Sequence, residues 1–192
     1  KSFFQFLNDN LKKYKPEIIL SADLFGYVAS SREDPGIGQR LDDIGDYFDY
    51  ISFMVYPSHY YSGFFAPADP IRKLSPVDFN LNESRANPDI VVYRSLLYAR
   101  DFLDGKIATS TGKFISPATT TPLASASSTP FSKAKLRPWL EDFFHEQDKA
   151  AKRPYGDKKV RLQIDAAEKT DPHGWLLWNS SNVYMEGALK EE

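Results

Sequence analysis

The chain has 192 residues, with 24 Lys and Arg against 26 Asp and Glu, a formal net charge of −2 and no cysteine. With 42% hydrophobic and 26% charged residues it has the composition of one globular domain, so a disordered or collagen-like chain is excluded. Without cysteine there are no disulfides, no thiolate catalysis and no zinc-finger chemistry. A nucleic-acid surface would show as a basic stripe. The nearest candidate, Lys149 to Arg153 with Lys158, Lys159 and Arg161, is short and interleaved with Asp148 and Asp157, so no nucleic-acid partner is expected. No apolar run approaches the roughly 18 residues of a membrane span. Aromatic residues make up 15%, which fits either carbohydrate-facing platforms or a large aromatic core.

In chain order, Phe3, Phe4, Phe6, Leu7, Leu11 and Tyr14 recur at helical spacing, and Pro16 ends the pattern. Glu17 to Phe25 is an apolar run closed by Gly26, predicting a strand buried on both faces. A loop with Pro35, Gly36 and Gly38 leads to a helical stretch around Arg40 to Phe48. A second buried strand, Tyr50 to Tyr56, is stopped by Pro57. Ser58 to Asn87 is a long connection rich in Tyr, Phe, Pro and Gly, and ordered loops of that length are usually functional. Asn87-Pro88 opens a helix that runs to Leu103 before Gly105. Thr109 to Ser132, rich in Ser, Thr, Pro and Ala, reads as a flexible insertion. A third strand at Leu136 to Leu140, a helix at Lys158 to Glu168 and a fourth strand at Gly174 to Trp178 complete the chain.

Alternating strands and helices imply a parallel sheet covered by helices. Such a sheet is either open or part of a (β/α)8 barrel. Polar and aromatic residues follow each strand, at Asp23, Tyr56 to Tyr60, Trp139 to Asp142 and Trp178 to Asn182, where a barrel carries its active site. An open doubly wound sheet would usually carry a Gly-rich phosphate turn, and Arg32 to Gly38 does not sit at a strand-to-helix step that would serve.

Four segments resemble, in order, motifs of a bacterial glycoside-hydrolase family long filed as a domain of unknown function and grouped with the amylase-like (β/α)8 barrels. They are Ser21-Ala-Asp-Leu-Phe-Gly26, Met54-Val-Tyr-Pro-Ser-His-Tyr60, Arg137-Pro-Trp-Leu-Glu-Asp-Phe143 and Trp175-Leu-Leu-Trp-Asn179, and together they span nearly the whole chain. Family members carry an earlier Phe-Asp-Tyr-Ile-Arg-Phe-Pro-like strand just before the first helix, and Phe48 to Phe53 only imitates it, with Ser52 in place of Arg. The resemblance thus implies that residues 1–192 are about the last four βα units of a TIM-barrel-type fold. A polysaccharide or oligosaccharide partner and an extracellular or cell-envelope setting are implied with it. Two unpaired sheet edges would make self-association an expected property.

Asp23 is the sharpest site candidate, because a carboxylate inside an apolar run is costly unless it is paired or faces a cavity. Glycoside hydrolysis uses two such groups, one as acid and one as nucleophile or base. Glu141 and Asp142 are adjacent on a strand, so only one can face the barrel centre. The family pattern favours Asp142 for catalysis, since relatives tend to have Gln at the position of Glu141. Tyr56, His59, Tyr60, Trp139, Glu141, Trp178 and Asn179 are the expected substrate contacts, while Trp175 reads as packing. His145 and His173 lack ligand spacing, so neither a metal nor another cofactor is expected. A Ser-His-Asp hydrolase is disfavoured because no Gly-x-Ser-x-Gly elbow occurs. The alternative from another class is a non-catalytic carbohydrate-binding or structural module, for which an aromatic cleft suffices.

Overall fold

A computed structural model describes residues 2–30, 34, 36–106, 132–143, 156–171 and 173–189. Of the expected insertion at 109–132 only Ser132 falls among them, and His145 and the basic stretch 149–153 lie outside them. The elements are α1 (Ser2–Tyr14), β1 (Ser21–Phe25), α2 (Gly26–Ser30), α3 (Leu41–Ile44), β2 (Tyr50–Val55), β3 (Phe64–Ala66), β4 (Val77–Phe79), α4 (Leu81–Ala86), α5 (Pro88–Leu103), β5 (Lys135–Leu136), β6 (Trp139–Glu141), α6 (Asp157–Thr170) and β7 (Leu176–Trp178). Short 3-10 turns occur at Pro57–His59 and Glu186–Leu189.

The main sheet runs β1-β2-β6-β7 with every neighbouring pair parallel, and β5 also lies against β2. β5 and β6 are two ends of one extended run that keeps a constant register on β2, Ile51 beside Leu136 and Met54 beside Trp139. The break between them falls at Arg137-Pro138, because Pro138 has no N–H to give to the ladder. Chain order equals strand order, so the sheet advances in one direction and contains no switch point of the doubly wound kind.

Register sorts the side chains onto two unlike faces. Leu24, Ile51, Phe53, Val55, Leu136 and Leu140 are buried and share one core with Val28 and Ala29 of α2, Val91, Val92, Leu96, Ala99 and Leu103 of α5, and Val160, Ile164 and Ala167 of α6. Each Val, Leu, Ile or Phe among them contributes about 1.5–3 kcal/mol by leaving water. The other face carries Ser21, Asp23, Phe25, Tyr50, Ser52, Met54, Lys135, Trp139, Glu141 and Trp178. On that face Asp23, Phe25 and Trp178 are exposed, and the Arg137 guanidinium sits 4.6 Å from the Tyr50 ring centroid. The first strand is therefore not buried on both faces, as its apolar run implies; it is a one-sided strand, and only Ser21–Phe25 of the run is extended in the sheet.

Three other expectations change on folding. The helical stretch at 40–48 shrinks to the four residues of α3, because Gly45 and Asp46 turn the chain toward β2. The long connection at 58–87 holds the antiparallel β3–β4 hairpin and α4, the latter opened by a capping box between Asn80 and Glu83. The first helix forms as its periodicity demands, yet none of its residues is buried; Phe4 meets Phe48 edge to face, and Asn8 Nδ2 donates to the Tyr47 carbonyl at 2.6 Å. No described helix is long and apolar enough to cross a membrane.

Gly26, at the joint of β1 and α2, explains the glycine in its motif. A Cβ there would meet the Met54 carbonyl oxygen at 2.5 Å and the Tyr60 hydroxyl at 3.2 Å. Backbone rather than a flexible side chain would have to move, so Gly26→Ala is expected to destabilise the fold by about 1–3 kcal/mol. Urea unfolding followed by circular dichroism checks this, the result being a lower midpoint at an unchanged slope.

Candidate active site

Parallel strands deliver their carboxyl ends to one side of the sheet, and there the polar face gathers its chemistry. Asp23 stands on β1 beside Ser52 of β2. Its Oδ1 accepts a hydrogen bond from Trp139 Nε1 at 3.1 Å, so the indole of β6 reaches over β2 to hold it. Trp139 meets Trp178 of β7 edge to face at 6.3 Å, which makes a wall of two indoles along the mouth. Trp178 is 44% exposed and can offer its ring to a ligand.

Glu141 ends β6 on this same face and is fully buried. Its Oε2 accepts from both the backbone N–H of Ser58, at 3.0 Å, and the Ser58 hydroxyl, at 2.7 Å. Tyr56 follows β2 directly and is buried. Burial pushes its phenol above the ordinary tyrosine range, and the negative charges of Asp23 and Glu141 push it further. A phenol in that setting stays protonated and serves as a hydrogen-bond donor, not a base. His59 is exposed and packs its ring edge to face on Tyr56 at 5.3 Å, near-parallel to Tyr61 at 5.9 Å and tilted against Phe143 at 5.5 Å, forming an aromatic rim.

The structure does not bring the remaining expected residues to this mouth. Tyr60 is only 3% exposed; its hydroxyl pairs with Ser95 Oγ at 3.3 Å and its ring leans on Tyr27, so it belongs to the core. Asn179 is buried and organises the chain after β7, donating to the Asp142 carbonyl and accepting from Ser181 N at 2.8 Å. Asp142 continues the strand alternation onto the face opposite Glu141, where its Oδ2 accepts from Met185 N at 2.8 Å while its Oδ1 is buried without a hydrogen bond. Trp175 packs against the core and donates to Glu168 Oε1 at 2.9 Å. A cavity of about 520 Å³ between the β3–β4 hairpin and α5, rimmed by the Arg72–Asp69 and Arg72–Asp101 ion pairs, includes none of Asp23, Tyr56, Trp139, Glu141 and Trp178.

Residues 1–184 match the model of the family described as "Putative glycosyl hydrolase domain". The chain belongs to that family. No curated protein and no solved structure matches it. On the polar face of the main sheet the strand carboxylates are Asp23 on β1 and Glu141 on β6. Among the described residues no three His, Asp or Glu side chains gather into a metal-ligand set.

Asp142 carries its own signature. Desolvation raises its carboxyl above the ordinary range, the charge of Asp157 adds to that, and the Met185 N–H opposes it. Between the ordinary value and the raised native one the folded chain holds more protons than the unfolded chain. Stability is therefore full below the ordinary value and falls as pH rises through the native one. Asp142→Asn removes this dependence while keeping an oxygen for Met185 N. The variant is expected to melt higher than the wild type at pH 7, with the gap closing as the pH approaches 4; differential scanning calorimetry across that range checks it.

Proposed function

We propose that this domain is a glycoside hydrolase that cleaves an extracellular or cell-wall polysaccharide by carboxylate acid/base catalysis. The observation that carries the reading is the placement of Asp23 and Glu141 on one polar face of the parallel sheet, with the indole of Trp139 bonded to Asp23 and packed against Trp178. Asp23, exposed on the open face, acts on the leaving oxygen or the anomeric carbon; Glu141 supplies the second carboxylate and Tyr56 a neutral donor. Trp178 and the His59–Tyr61 rim stack on sugar rings. In fold terms the proposal is a (β/α)8 barrel of which this chain contributes about four βα units. The one-directional strand order and the polar, aromatic face away from the helices, which would line such a barrel, support it. The same open face and edges make self-association a proposed property, checked by light scattering.

One observation favours a second reading. Glu141 has no exposed surface in the free chain, whereas Trp178 and Phe25 are 44% and 48% exposed, an arrangement that suits a carbohydrate-binding module. Incubation with a panel of soluble polysaccharides separates the two. New reducing ends that disappear in Asp23→Asn support hydrolysis; retardation in polysaccharide gels with no new reducing ends supports binding alone.

A further inference from the structure

The strand alternation leaves a question of register at its end, since a one-residue slip would exchange Glu141 for Asp142 at the mouth. Asp142 N donates to the Trp178 carbonyl at 3.0 Å, so the N–H and C=O of Glu141 itself point the other way, toward the line of β2. But β2 stops at Val55, the partner of Leu140, and Tyr56-Pro57 leaves into a 3-10 turn. No strand residue is there to take the two groups. The side chain of Gln163 takes both: its Oε1 accepts from Glu141 N at 3.2 Å and its Nε2 donates to Glu141 O at 2.9 Å. Gln163 has no exposed surface and sits on α6 among the core residues Val160, Ile164 and Ala167, where a polar side chain is costly unless both of its ends are satisfied.

We infer that Gln163 is a positioning residue of the active site: its carboxamide replaces the missing strand neighbour beyond β2 and pins the register that sets Glu141, not Asp142, on the face that carries Asp23. The inference rests on the proposed role of Glu141 as second carboxylate. Ser58 completes the arrangement, because its N–H and hydroxyl converge on the single oxygen Oε2 and set the side chain once Gln163 has set the backbone. The acid is thereby held at both ends by residues of two different elements.

The test uses Gln163→Met, which keeps the length of the side chain and removes both hydrogen bonds, and Gln163→Glu, which keeps the acceptor and loses the donor. Ile164→Val, a buried neighbour on the same helix, controls for general loosening. On a polysaccharide that the wild type cleaves, Gln163→Met is expected to lower kcat by about 100-fold with KM within about twofold, since the loss is one of geometry rather than binding. Gln163→Glu is expected to move the acid limb of the kcat profile to higher pH, because a like charge then faces Glu141. A kcat for Gln163→Met no lower than for Ile164→Val overturns the inference, and so does an unmoved profile in Gln163→Glu should the Met variant fail to fold. If the wild type cleaves nothing, the glycosidase reading fails separately, and the carbon-13 carboxyl titration of Glu141 decides alone. A curve displaced in the Gln163 variants but not in Ile164→Val upholds the positioning role; a curve that stays in place removes it.

Discussion

Asp23→Asn is expected to reduce polysaccharide hydrolysis by about 10²–10⁴-fold, the range spanned by a positioned acid or base. The change is nearly isosteric. An Asn oxygen still accepts the Trp139 Nε1 hydrogen bond that holds Asp23 at 3.1 Å, so the indole and the mouth keep their places. What disappears is the ability to exchange a proton or carry a negative charge. Because Asp23 is exposed, the substitution leaves no buried polar group without a partner, and the melting temperature should stay within a degree or two of the wild type on the general record of surface changes. Assays of initial rate and thermal melting on the same preparation separate the two effects. A parallel loss of rate and of melting temperature would assign Asp23 to structure.

The largest effect on stability is expected from Phe53→Ala. Phe53 is fully buried at the centre of β2, paired across the sheet with Leu24, in the core that β2 shares with α2 and α5. Truncating it removes the transfer energy of the ring and leaves a cavity that β2, hydrogen-bonded on both sides, cannot collapse to fill. The expected cost is about 3–5 kcal/mol, or a fall of about 6–20 °C in melting temperature for a chain of this size. Calorimetry reads it directly, and a loss below about 1 kcal/mol would mean that the face opposite the mouth is not the core.

Elements with strong local signals are the ones whose structure follows from sequence. Asn87-Pro88 and Gly105 bracket α5, and the observed helix runs from Pro88 to Leu103 as they require. The alternation of strand and helix leads to the parallel sheet, whereas of the residues read as following the strands only Tyr56 does so: Asp23 lies within β1, Trp139 opens β6 and Trp178 ends β7. Elements decided by tertiary packing are hidden. The run from Glu17 to Phe25 is apolar throughout, and nothing local tells that Ile19 and Phe25 remain exposed while Leu24 alone of the strand is buried. The Asn80–Glu83 capping box marks α4, a local signal that a reading of the segment by its Tyr, Phe, Pro and Gly content passes over.

The adjacent acids Glu141 and Asp142 show the same limit. Alternation says that Glu141 and Asp142 face opposite ways but not which way either faces. The resemblance points to Asp142; in the structure Glu141 shares the face of Asp23, its backbone bonded to Gln163, 22 residues further on, and its carboxylate to Ser58, 83 residues back. A Gln among apolar helix positions and a Ser two residues after Tyr56 are ordinary in isolation. They acquire meaning only when α6 and the 3-10 turn are brought to the end of β6.

The carboxylates on the polar face, and not the one behind it, carry the chemistry in the proposed function. Its most direct test is the rate of reducing-end release by Glu141→Gln and Asp142→Asn measured side by side on the same polysaccharide. The expected result is a loss of about 10²-fold or more for Glu141→Gln, with Asp142→Asn close to the wild-type rate. Full activity in Glu141→Gln together with an inactive Asp142→Asn would contradict it.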